Sequence, residues 1–289
     1  MKKILSTLMV GALALSLAAC GQSSTEQKPA EGTDHAAHGG GEAITLKVGA
    51  TAVPHAEILN QVVKPLLEKE NVNLEVVTFQ DYVLPNTQLA EKELDANYFQ
   101  HIPWLEQTNK EKNLNLTYAA GVHIEPMGVY SNKEKAYKDL ASLPAGAKVA
   151  ITNGQGEHGR VLALLEKAGL LKLKEGVGIN GTIADIVEKK VELVELEPPM
   201  LPRALDDAAV DAAVINSNFA MEAGLNPSKD AIYLESGENN PYVNVLAVRE
   251  DNKDSEGIKK LAKALTSPEV KDFIDKTYGG SVLFVGEVK

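Results

Sequence analysis

From residue 44 onward, short apolar runs alternate with stretches whose apolar residues recur at helical spacing. That alternation restricts the chain to sheets covered by helices. Leu46–Ala50 reads as a strand, and Pro54 opens a helix in which Ile58, Val62, Val63, Leu66 and Leu67 share one face. Leu74–Phe79 and Ala96–Phe99 are further strands, separated by a helix over Val83–Leu94. A helix from Pro103 and a strand near Leu116–Ala120 complete a first set. The pattern restarts with a strand at Lys148–Thr152 and a helix at Arg160–Ala168. Strands at Val191–Leu196, Ala212–Asn216 and Tyr242–Val248 follow, with helices at Pro202–Asp207 and Phe219–Gly224 between them and two at Glu256–Leu265 and Pro268–Thr277 after them. This order predicts two α/β lobes, each a mostly parallel sheet flanked by helices, with ligands at strand carboxyl ends and in the cleft between lobes. The 29 Lys and Arg against 40 Asp and Glu give a net charge of −11, which argues against nucleic acid as a partner.

The first residues read as an address. Lys2 and Lys3 precede an apolar run from Ile4 to Leu17, too short to span a bilayer comfortably, and then Ala18-Ala19-Cys20. Residues 1–19 are thus expected to be a signal peptide. Leu17-Ala18-Ala19-Cys20 resembles a bacterial lipoprotein processing box, which makes Cys20 the lipidated first residue of an exported chain. Two acyl chains hold a protein at a membrane surface where one does so poorly. Cys20 is the single cysteine, so disulfides and thiol catalysis are excluded from the folded part. The remainder of 20–43 is a Gly/Ser/Ala/Glu-rich linker without the apolar content needed to fold. Its His35 and His38 raise the alternative of a metal-handling lipoprotein, but no Cys or further His lies nearby to complete a coordination sphere.

Several motifs invite chemistry. Gly154-Gln155-Gly156-Glu157-His158-Gly159 is a literal G-x-G-x-x-G between a strand and a helix. The acid expected about 20 residues on is represented only by Glu175, in a loop-like stretch, so a dinucleotide is not expected. Amides at this helix start, together with Arg160, suit a carboxylate. Esterase, zinc-protease and phosphate-loop signatures are missing from the sequence. His123 and Glu125 alternate on an apparent strand and are expected on a surface or hinge rather than as an acid–base pair. Tyr82 follows one strand, and Phe99, His101 and Trp104 follow another, so four rings can converge on one pocket wall. Such a wall attracts thioether sulfur by about 0.3–1.5 kcal/mol per contact.

At these residues the sequence resembles the methionine-binding lipoproteins of bacterial ABC importers, the MetQ/NlpA family. The resemblance covers residues 45–289 and rests on ordered blocks: VGATAVPHAEIL (48–59), FQDYVLPN (79–86), LDANYFQHIPWL (94–105), EPMGVYS (125–131), LEKAGLLKLKEGVG (165–178), LPRALDD (201–207), VINSNFAMEAGL (214–225) and PYVNVLAVRE (241–250). It implies a two-lobed periplasmic-binding-protein fold of type II, whose cleft closes over a free amino acid. Lobe one would be 44–130 plus 240–289, and lobe two 131–239. Tyr82, Phe99, His101 and Trp104 would form the side-chain pocket, Arg160 would clamp the ligand carboxylate, and Asn216 and Asn244 would bond its backbone polar groups. The resemblance further implies a monomer without cofactor or catalysis, tethered to the outer face of a membrane. Its partners would be methionine, or a methionyl dipeptide or other small amino acid, and the permease and ATPase of an importer.

The chain departs from the family pattern at two places. Trp104 stands where the family usually has Tyr, which enlarges the ring and moves its polar tip. The family's usual Asn-Asp-Pro-Thr-Asn-x-Gly-Arg is replaced by Asn153-Gly-Gln-Gly-Glu-His-Gly159-Arg160. Glu157 is expected to be a solvated loop residue, the alternative being that it meets a ligand ammonium.

Overall fold

The structure is a computed structural model and describes residues 43–289. The expected signal peptide, the Cys20 anchor, His35 and His38 lie outside the described residues.

The strands in chain order are β1 (Ile44–Thr51), β2 (Val72–Phe79), β3 (Ala96–His101), β4 (Leu116–Ile124), β5 (Gly128–Ser131), β6 (Lys148–Thr152), β7 (Leu171–Leu173), β8 (Ile186–Lys189), β9 (Glu192–Leu196), β10 (Ala212–Ile215), β11 (Ala231–Leu234), β12 (Val243–Arg249) and β13 (Leu283–Val288). Six of them form one sheet in the order β13-β4-β12-β3-β1-β2, five form a second in the order β11-β5-β10-β6-β9, and β7 pairs with β8 alone. Helices flank both sheets, giving the two-lobed α/β architecture.

The sheets are more mixed than the expected mostly parallel arrangement. β1 runs parallel to β2 and β3, but β12 lies antiparallel between β3 and β4, and β13 is antiparallel to β4. In the second sheet β6 is parallel to β9 and β10, while β5 lies antiparallel between β10 and β11. The inserted strands are those that arrive from the other sheet. A chain crossing the cleft enters its new sheet at the cleft edge and must run away from it, against neighbours that run toward it. The amino end of β12 therefore sits among the carboxyl ends of β3 and β4, and Asn244 faces both His101 and His123. β5 already belongs to the second sheet, so the expected lobe boundary at 130/131 falls within a strand.

Three short strands without strong periodicity (β5, β7 and β8) were not legible as apolar runs, nor were β11 and β13 at sheet edges. In the interior, β3 is buried along its whole length despite carrying Asn97 and Gln100. Their side chains close an amide ring with Asn86: Asn97 Nδ2 donates to Asn86 Oδ1 (2.8 Å), Asn86 Nδ2 to Gln100 Oε1 (2.8 Å), and Gln100 Nε2 to Asn86 Oδ1 (2.6 Å). A satisfied buried network of this kind fixes one arrangement of neighbouring elements. It ties helix Leu84–Ala90 to the strand that carries Phe99 and His101.

Candidate functional site

One cavity of about 380 Å³ is lined by Tyr82, Phe99, Gln100, His101, Trp104, Glu125, Glu157, Arg160, Asn216, Ser217, Asn218 and Asn244. That size lies toward the small end of ligand pockets. All seven residues singled out from the sequence as ligand contacts are in this lining. They come from strand ends of the first sheet (Tyr82, Phe99, His101, Asn244), from two helix starts (Trp104, Arg160) and from the end of β10 (Asn216).

Each side chain is placed by a local device. His101 is the N-cap of helix Ile102–Lys112, where its Nδ1 accepts the backbone N–H of Trp104 (3.1 Å). That bond leaves Nε2–H to donate to Glu157 Oε1 at 2.7 Å. Tyr82 donates its hydroxyl to Asn218 Oδ1 (2.6 Å), fastening the β2 end to the β10 end. Asn216 precedes helix Ser217–Glu222 but does not cap it; its Nδ2 donates instead to Glu157 Oε2 (2.9 Å). Trp104 Nε1 and Asn218 Nδ2 are buried donors without a protein partner, open to an acceptor on a ligand.

The glycine-rich turn corrects two expectations. Helix Gln155–Lys167 starts within the motif, earlier than expected, and Glu157 sits in its first turn. The favourable potential of this helix start is therefore met by the chain's own carboxylate, not left open for a ligand anion. Glu157 is buried at 2% exposure rather than solvated. Burial alone would raise its carboxyl, but His101, Arg160 and Asn216 outweigh burial and hold it at about 2. Gly159 serves packing rather than phosphate: a Cβ there would lie 1.7 Å from the carbonyl oxygen of Ile179.

Arg160 is not a free clamp. Its Nη2 donates to Glu235 Oε2 (2.6 Å) and to the Glu125 carbonyl (2.8 Å), and its Nε to Glu235 Oε1 (3.2 Å). Its guanidinium lies 4.1 Å from the Tyr242 ring centroid. Burial opposes its charge, yet Glu235 raises it further above its ordinary value, and Arg160 holds the partly buried Glu235 carboxyl below its own. The Nη1 hydrogens remain for a ligand. Glu235 was missed in the sequence because it is 75 residues from its partner and outside every motif.

His123 and Glu125 are buried, at 0% and 6% exposure, contrary to the expected surface or hinge position. Glu125 Oε1 lies 2.8 Å from His123 Nε2 and 3.1 Å from His55 Nε2. His123 Nε2–H donates to this oxygen and His55 Nε2–H to Asn244 Oδ1 (3.1 Å), so the Nδ1 atoms accept from the Thr51 and Tyr98 hydroxyls. Burial lowers His55 to about 4 and His123 to about 3, and raises Glu125. His55, His123 and Glu125 are the trio among the described residues whose donor atoms fall within 4.8 Å of one another, a set chemically suited to a divalent cation. Hydrogen bonds already engage each of those atoms.

The family model described as NlpA lipoprotein matches residues 46–285. Methionine-binding lipoprotein MetQ of Bacillus subtilis (strain 168) is 45% identical over 260 residues, covering 89% of this chain and 93% of that protein. D-methionine-binding lipoprotein MetQ of Escherichia coli (strain K12) is 41% identical over 276 residues, 95% of each. The solved structure of a nutrient binding protein from Burkholderia cenocepacia bound to methionine is similar at a TM-score of 0.78 and 46% identity, covering 83% of this chain and 99% of that one. On its sequence, its two-lobed fold and these relatives, the chain belongs to the NlpA lipoprotein family.

Proposed function

We propose that this protein is the substrate-binding component of an ABC importer, capturing methionine outside the cytoplasm and delivering it while tethered to a membrane through Cys20. The observation that carries the reading is the composition of the cavity: rings on one wall, and Arg160, Asn216 and Asn244 opposite neutral and acidic partners. Tyr82, Phe99 and Trp104 take the methyl-thioether, Asn216, Asn244 and the Nη1 edge of Arg160 the carboxylate, and Glu157 the ammonium. The names of the relatives support methionine as the ligand, one of them specifying D-methionine. The work is binding alone: ligand stabilises the closed arrangement of the two lobes, the crossings lying near 125–127 and 235–242. The protein acts as a monomer.

A melting screen tests this. Residues 21–289, unfolded and refolded to strip carried-over ligand, are expected to gain about 2.7 kcal/mol at a methionine concentration 100 times Kd. Phe99→Ala is expected to weaken binding by about 1–3 kcal/mol through lost ring packing. No shift with either enantiomer would remove methionine as the ligand.

A further inference from the structure

Tyr82 stands at the centre of a group of rings, with centroids 5.9 Å from Phe99, 5.7 Å from Trp104 and 5.2 Å from Phe219. Trp104 packs directly on the glycine-rich turn, where a Cβ on Gly156 would lie 3.0 Å from its Cζ3. The next residue is Glu157, so an ionised carboxylate and an aromatic wall border the same cavity.

His101, Arg160 and Asn216 hold that carboxylate ionised, yet the acids of the lining outnumber its one guanidinium. His101 accepts a backbone N–H at Nδ1 and donates Nε2–H to Glu157 Oε1, and Asn216 donates an amide N–H to Glu157 Oε2. Arg160, the cation in the lining, is paired with Glu235 at 2.6 Å. Glu125 adds a second acid to the wall. Zwitterionic methionine brings one charge of each sign and leaves the buried excess as it was, and an uncompensated buried charge is costly.

We infer that the cavity favours a ligand one unit more positive than a zwitterionic amino acid, the extra charge being a sulfonium held among Tyr82, Phe99 and Trp104 beside Glu157. S-methylmethionine is the smallest ligand of this class on the methionine skeleton. A sulfonium has no N–H to donate, so ring faces complete its surroundings, as they do for quaternary ammonium. A lysine ammonium would need acceptors that the ring wall lacks. The inference rests on the methionine reading and narrows it.

Calorimetric titration of the full chain in detergent, refolded free of ligand and held near pH 7, separates the two. The ligands are L-methionine, S-methyl-L-methionine and 2-amino-5-methylhexanoic acid, which replaces the sulfonium sulfur with CH and keeps its shape. The sulfonium is expected to bind at least about tenfold tighter than either neutral ligand. In Glu157→Gln that preference falls to near unity. Trp104→Leu, which leaves Glu157 in place, weakens the sulfonium more than its CH analogue, so the inference stays testable if the glutamine variant fails to fold. Methionine binding as tightly as the sulfonium, or the CH analogue matching it, overturns the inference and leaves the methionine reading standing. Absence of binding by all three overturns both.

Discussion

At the residue scale, the site is defined by pairs whose members are far apart in the chain. Arg160 and Glu235 show the consequence: Arg160 is buried and Glu235 partly so, and each is tolerable there because of the other. Arg160→Ala is expected to cost about 3 kcal/mol or more, because it strands a partly buried carboxylate. The double change Arg160→Met with Glu235→Gln should recover part of that loss, since residue 235 is then neutral and glutamine still accepts the Met127 N–H that Glu235 accepts at 3.1 Å. Urea midpoints of the single and double variants check this; equal losses in both would mean the pair is not what holds these side chains. Glu157 teaches the complementary lesson. Its acidic character was visible in the sequence, but its burial, and hence its importance, follows from His101 and Asn216 arriving from other strands.

At the element scale, helix Gln155–Lys167 aims both Glu157 and Arg160 into the cavity from one turn. Its position is set by contact between Gly159 and the backbone around Ile179. Gly159→Ala would force that backbone or the helix to move, with an expected cost of about 1–3 kcal/mol and a parallel loss of ligand affinity. A Gly159→Ala protein with unchanged melting temperature and affinity would show that the segment yields freely. A G-x-G-x-x-G read from spacing alone is therefore a poor guide to phosphate here. The same letters serve a ring contact at Gly156 and a backbone contact at Gly159.

At the scale of the whole molecule, the His55–Glu125–His123 cluster links the helical turn after β1 and the end of β4 to the cavity wall. Both histidines have folded pKa values below their ordinary 6.5, so below that pH the unfolded chain takes up protons that the folded chain refuses. Stability is then full above pH 6.5 and falls as pH drops toward about 4 for His55 and about 3 for His123. Glu125, raised by burial, takes up a proton in the folded state and offsets part of this loss. From the cluster, unfolding free energy should fall between pH 6.5 and 4.5 by about 1.4 to 2.7 kcal/mol per pH unit. Glu157 adds a further loss only as pH falls from 4.5 toward about 2, because its carboxyl is held low. Urea unfolding at several pH values checks the slope, and His123→Gln should lower it by about 1.4 kcal/mol per pH unit. A flat profile above pH 5 would contradict neutral buried rings.

The sequence by itself determined the alternation of strands and helices, several elements to within a residue or two, and the gathering of Tyr82, Phe99, His101 and Trp104 at strand ends. Those features depend on side chains a few positions apart, where periodicity, caps and prolines act. Only the tertiary structure decided that β12 and β5 insert antiparallel, that Arg160 is claimed by Glu235, and that Glu125 and Glu157 are buried acids. Each depends on which distant segment comes alongside, and the protonation of a buried group follows from its neighbours in space rather than from its place in the chain.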